Sequence, residues 1–278
     1  MMFFRIGSVV CLCVSLAFLF AAPTFAFAFQ FKYSDYYQRF YDVKKQRLEH
    51  LFASEPTNDP DKIIAISGLF LDLNYVEHRL IGSSDVPEQL VIDFGALDCF
   101  TYLDYVEALR KSSDYEEDFI ENLIVTRYVD GEVSYLSRKH FFSDWVHADT
   151  NGDSNAHDVT ALVSDYHETV FKDLNRKADG SSFIPDLPTK QRYIDYIPSE
   201  HIDATLVERL QNGDYIGIYS EIDGLDVTHV GIFLHGEDGP VYRNASSVSS
   251  NMRVVDSPFL EYMQNTPGIV VYRAHFPF

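Results

Sequence analysis

Cys99, His229 and Asn244 are the residues whose types could combine into nucleophilic chemistry. A thiolate attacks a carbonyl carbon, an imidazole takes and returns the proton, and an amide oxygen can fix the imidazole's tautomer. Cys99 lies in "GALDCFTYLDYVEALR", and Cys11 and Cys13 at the extreme N-terminus are the only other cysteines. Asp98 is a good N-cap, so Cys99 falls in the first turn of a helix, where unpaired N–H groups favour thiolate and could hold an oxyanion. An inert buried thiol is the alternative use of such a residue.

The base comes from "VTHVGIFLH". Val230, Ile232 and Leu234 alternate toward a core, so His229 and Gly231 point to the other face. Gly231 leaves room there for another element, such as the Cys99 helix. A turn at Gly236–Gly239 sets His235 against Pro240 and Leu234 against Val241. In that register Asn244 shares the face of His229, diagonal to it, whereas a one-residue slip would put it on the wrong face.

These residues need a helix and a sheet to carry them. Tyr102, Leu103, Val106 and Leu109 share the face of Cys99, with Asp104, Glu107 and Lys111 on another side. Upstream, residues 33–54 and 59–75 read as helices. Leu123–Tyr128 reads as a strand turning at Asp130-Gly131 into a second strand from Val133. Residues 160–171 read as a helix, and 181–200 as irregular, with Pro185, Pro188 and Pro198. Five segments after residue 213 have strand composition. Helices first and antiparallel strands later is the α+β pattern. We divide the chain into a signal peptide (1–28) and one domain (29–278). That domain has a helical part at about 33–111, a mixed insert at about 120–200 and a β-rich core at about 213–276.

The first 28 residues give the compartment: Arg5, an apolar run, then Ala22, Ala26 and Ala28. A membrane anchor would want a Lys/Arg cluster after the run, and none follows. Export to a periplasm or beyond is expected, with no membrane anchor after cleavage. A formal net charge of −20 argues against nucleic acid and anionic membranes as partners. With 22 Phe and 18 Tyr the chain can build a substantial core. "DTNGDSN" lacks the glycine and glutamate of a calcium loop, and His147, His157 and His167 lack metal-ligand spacing, so no metal and no cofactor are expected.

"LDCFTYLDYVEAL", "SRKHFFSDW", "THVGIFL" and "RNASS", in that order, resemble the DUF1460 family of NlpC/P60-like, papain-fold cysteine amidases. The resemblance spans about residue 60 to the C-terminus. It implies a papain-like α+β fold, with the nucleophile helix packed on an antiparallel sheet. It also implies N-acetylmuramoyl-L-alanine amidase activity on peptidoglycan fragments, favouring anhydro-muropeptides. A monomer is expected. The nucleophile falls on Cys99, the base on His229 and the orienting residue on Asn244, where the family more often has histidine. "SRKHFFSDW" suits a muropeptide: Arg138 for a stem carboxylate and Trp145 for a sugar face, with His140 and Asp144 as further substrate-binding candidates beside them and Tyr196 of "YIPS" lining the cleft. The structural alternative pairs Arg138 with Asp144 and buries Trp145. Two other functions fit the residues: an endopeptidase cutting within the stem peptide, and a non-catalytic muropeptide-binding envelope protein.

Overall fold

A computed structural model describes residues 32–33, 46, 49 and 59–275, except 114–117, 148 and 151. The signal peptide and nearly all of the helix expected at 33–54 lie outside those residues.

The helices are α1 (Asp59–Gly68), α2 (Cys99–Lys111), α3 (Phe119–Arg127), α4 (Thr160–Val163), α5 (Ala204–Arg209) and α6 (Phe259–Met263). Four strands of two residues each come first: β1 (Lys32–Tyr33), β2 (Asn74–Tyr75), β3 (Val91–Ile92) and β4 (Ala96–Leu97), β1 pairing in parallel with β3. They are followed by β5 (Ala156–Asp158), β6 (Glu168–Leu174), β7 (Lys190–Pro198), β8 (Tyr215–Tyr219), β9 (Val227–Gly236), β10 (Gly239–Ser246), β11 (Arg253–Pro258) and β12 (Gly268–Ala274). The main sheet has the order β4-β2-β11-β10-β9-β8-β12-β7-β6, with β5 on β12, and it curls into a half-barrel. The fold is mixed α+β.

Alternation along the strands gives the sheet two apolar faces. Val230, Ile232, Leu234, Tyr215 and Val270 pack against Tyr102, Leu103 and Val106 of α2. Ile216, Ile218, Phe233, Tyr242 and Val271 pack on the opposite side with Leu206, Phe259 and Met263.

Four expectations fail for identifiable reasons. Leu123–Arg127 is not a strand but the second half of α3, with Tyr128 as its C-cap. Its β-branched composition suggested a strand, yet Phe119, Leu123, Thr126 and Arg127 are buried at helical spacing. The Asp130-Gly131 turn does form, with φ of 54° and 67°, but it leads out of α3 instead of joining two strands. Residues 181–200 are not irregular throughout, because β7 starts after Pro188 and stops at Pro198. The expected 160–171 helix stops at Val163, since Glu168–Leu174 pairs along its whole length with β7. The helix expected over 59–75 likewise ends at Gly68, before β2.

Helix α2 begins where expected. Asp98 accepts the Thr101 N–H at 2.8 Å, and its own N–H donates to Thr101 Oγ1 at 2.9 Å, a reciprocal cap. At the other end Lys62 Nζ donates to the carbonyls of Arg110 and Ser112 at 2.7 and 2.8 Å. The polar side of α2 is not solvated. Asp104 and Glu107 are as buried as the apolar side, each held by an arginine. Arg110 grips Glu107 at 2.7 and 2.8 Å, and Tyr215 Oη donates to Glu107 at 2.6 Å, tying the helix to β8.

Candidate active site

The β9–β10 hairpin has the expected register, running from Gly236↔Gly239 to Ile232↔Arg243. There the pairing with β9 stops, although β9 extends back to Val227 and β10 on to Ser246, still paired to β11. The two strands part, and the start of α2 meets the opening. The Cys99 sulfur lies against the backbone N–H groups of Val230, Cys99 and Phe100. Thus the thiol faces the backbone of the residue next to His229.

His229 Nε2 lies 3.0 Å from Asn244 Oδ1. The amide cannot be turned round freely, because Asn244 Nδ2 donates to the Tyr242 carbonyl at 3.1 Å and reaches Ser257 Oγ at 3.4 Å. An oxygen in that place would face a carbonyl, so Oδ1 must point at the imidazole. The consequence is one tautomer: Nε2 carries the proton and donates to Asn244, leaving the Nδ1 lone pair open. The diagonal placement expected for Asn244 is therefore enough, without a directly opposed pair.

The charge state differs from the expectation for a helix start. Burial, then the Asp98 carboxylate, pushes the Cys99 thiol up to about 12, against the three N–H groups that favour thiolate. Burial also lowers His229, opposed by its bond to Asn244 and by Asp98. Both shifts favour the neutral forms, thiol and imidazole. Asp98→Asn keeps an oxygen to cap Thr101 and removes the charge, so the thiol's pKa and the imidazole's both fall. Alkylation of Cys99 by iodoacetamide at pH 8 should accelerate roughly tenfold, for a shift of about one unit. An unchanged rate would mean that the carboxylate's field does not reach the sulfur.

Gly231 does leave a gap, but not for the helix. A Cβ there would sit 2.5 Å from Tyr242 Cε2 and 2.7 Å from the Arg243 carbonyl oxygen. The carbonyl belongs to a strand and cannot swing aside. Gly231→Ala should therefore cost about 1–3 kcal/mol and most of the turnover, by displacing His229 two residues away. Thermal unfolding beside an activity assay checks both halves.

Three tyrosines that the sequence did not single out surround the sulfur. Burial raises the hydroxyls of Tyr75, Tyr242 and Tyr262, Tyr75 to about 12, and each lies close enough to couple electrostatically to Cys99. The Tyr242 ring lies 6.1 Å from the His229 ring and 5.0 Å from that of Tyr262. No local pattern marks them, because β2, β10 and α6 converge only in the fold.

The second group of expected residues is largely engaged internally. Arg138 pairs with Glu88, not Asp144, with Nε at 3.1 Å from the carboxylate. His140 Nε2 meets the Tyr135 carbonyl at 2.7 Å, and burial lowers its pKa to about 4. Asp144 is buried and bound by Lys190 Nζ at 2.9 Å. Trp145 is fully buried, edge-on to Tyr215 and Phe100, so the core alternative describes it and it offers no face to a sugar. Tyr196 is half-buried, stacked on Tyr219 at 3.8 Å, and donates to Glu168 at 2.7 Å. Among the described residues no group of three or more His, Cys, Asp or Glu is arranged to hold a metal ion.

This is a mixed α+β protein in which a thiol lies against the backbone next to an imidazole–amide pair, where two strands part. A family model of N-acetylmuramoyl-L-alanine amidase-like (AmiA-like) proteins matches residues 65–269, and the chain belongs to that family. Among solved structures it is similar to an N-acetylmuramoyl-L-alanine amidase from Bacteroides uniformis, at 27% identity and a TM-score of 0.65. That match covers 78% of this chain and 99% of the other. A Legionella pneumophila protein assigned to DUF1460 shares the fold, at 21% identity, a TM-score of 0.66 and coverage of 84% and 94%. No curated protein sequence matches the chain.

Proposed function

We propose that this protein is a papain-like cysteine amidase of the NlpC/P60 type. It hydrolyses the amide between N-acetylmuramic acid, in its 1,6-anhydro form, and L-alanine in peptidoglycan fragments. It does so as an exported monomer. The observation that carries the reading is the His229–Asn244 bond of 3.0 Å, with the Cys99 sulfur against the Val230 N–H.

In this mechanism the resting pair is neutral, so attack and proton transfer are coupled. His229 Nδ1 takes the Cys99 proton as the sulfur bonds to the lactyl carbonyl carbon. The N–H of Cys99 at the helix start stabilises the oxyanion. Imidazolium then protonates the leaving nitrogen, the C–N bond breaks and a thioester remains. Water attacks the thioester after giving a proton to His229, the C–S bond breaks, and the proton returns to sulfur. Asn244 stabilises the imidazolium through Nε2–H in both halves.

The test is digestion of defined anhydro and reducing muropeptides, followed by mass spectrometry. An intact free stem peptide with saccharide supports the amidase. Shortened stems would indicate the endopeptidase instead, and activity lost only with EDTA would end the cysteine mechanism. One observation favours the binding module: burial and Asp98 hold the Cys99 thiol protonated. Tight muropeptide binding with no wild-type turnover would establish that reading.

A further inference from the structure

A cavity of about 440 Å³ opens beside the candidate site, lined by Val248, Ser257, Glu261, Tyr262, Asn265 and Thr266. Two of its walls are shared with the site. Ser257 Oγ lies 3.4 Å from Asn244 Nδ2, and the Tyr262 ring packs at 5.0 Å on Tyr242, which flanks His229. The size is that of a small-ligand site, about 300–1,000 Å³.

The chemistry of the lining selects among the parts of a substrate. It offers an aromatic ring and Val248 for an apolar face, and Ser257, Asn265 and Thr266 to bond hydroxyl and amide groups. Its charged group is Glu261, with no lysine, arginine or histidine in the lining. A stem peptide brings carboxylates, which Glu261 repels and nothing here compensates. A neutral N-acetylated sugar brings hydroxyls, one amide and an apolar ring face.

We propose that this cavity is the saccharide subsite of the enzyme, taking the N-acetylated hexosamine ring while the peptide stem runs elsewhere. The assignment rests on the amidase reading above and goes beyond it by fixing which part of the substrate lies next to Asn244. Asn265 and Thr266 are then specificity-determining residues for the sugar and have no part in bond cleavage.

The experiment compares 1,6-anhydro-N-acetylmuramoyl-L-alanine with N-lactoyl-L-alanine, which has the same scissile amide and no sugar. A third substrate is 1,6-anhydro-N-acetylmuramoyl-L-alanyl-D-glutamate. Asn265 is exposed, so Asn265→Ala should fold normally. It should raise KM for the muramoyl substrates about tenfold, the loss of roughly one well-made hydrogen bond, with kcat unchanged. N-lactoyl-L-alanine should be hydrolysed as by the wild type. An equal penalty on both substrates overturns the proposal. So does Glu261→Lys if it lowers KM for the glutamate-bearing substrate alone, because the cavity then holds the peptide. Hydrolysis of none of the three by the wild type would refute the amidase reading. The subsite would then be judged by titrating N-acetylglucosamine, a neutral N-acetylated sugar: NMR shifts at the Val248 and Thr266 amides uphold it, and their absence ends it.

Discussion

Cys99→Ala should abolish hydrolysis of muropeptides, by about 10⁴-fold or more, while leaving their binding within a few-fold of wild type. The substitution removes the attacking atom and little else: the helix cap at Asp98–Thr101 and the His229–Asn244 bond do not involve the sulfur. His229→Ala should cost a similar factor, because a thiol pushed up to about 12 supplies almost no thiolate at neutral pH without a base. The double variant should then be scarcely worse than either single one, as expected of groups acting as a unit. The pH profile follows from the same pair. Protonated His229 cannot accept the thiol proton, so kcat/KM falls on the acid side. Since burial lowers the imidazole's pKa, that fall should lie at lower pH than the value of about 6.5 expected of an ordinary histidine. Residual turnover by Cys99→Ala above a few per cent would show that the sulfur is not the nucleophile.

The largest effect on stability is expected at Arg127. Its guanidinium and the Asp104 carboxylate are both fully buried, with Nε donating to Oδ2 at 2.7 Å and Nη1 to the Val91 carbonyl at 2.8 Å. Arg127→Met strands Asp104 in the core without its cation. Breaking such a pair costs about 3–5 kcal/mol, and in a domain of this size Tm should fall by roughly 10 °C. Burial already raises the Asp104 pKa, and losing the arginine raises it further. Because the folded state then holds the proton more tightly than the unfolded chain, the deficit should narrow as pH falls. Pairing the variant with Asp104→Leu should recover most of the loss. A single variant within about 1 kcal/mol of wild type would mean that the two charges are not coupled.

The parts legible in the sequence are those with local causes. Asp98 with Thr101 three residues later is a capping signal within one turn, so the start of α2 could be read directly. Gly236 and Gly239 pin the hairpin, so its register to Ile232↔Arg243 could be counted off. What escaped depends on distant partners. Arg138 found Glu88, fifty positions upstream in the chain, where Asp144 was nearer in sequence. The residues of α3 have strand-like composition, and only burial against the rest of the core makes them a helix. The neutral state of Cys99 escaped for a quantitative reason. The helix start does favour thiolate, but desolvation and Asp98 together outweigh it, and neither can be weighed before the fold is known.

The meeting of α2 with the parted strands has a consequence for the protein's lifetime. Oxidants attack thiolates far faster than thiols, and exposed sulfurs before enclosed ones. Cys99 is half-buried, held in the thiol form, and has no cysteine partner among the described residues. The enclosure that holds this sulfur in the thiol form therefore also disfavours its conversion to sulfenic acid and mixed disulfides. A lone cysteine can stay reduced here without a second one to guard it.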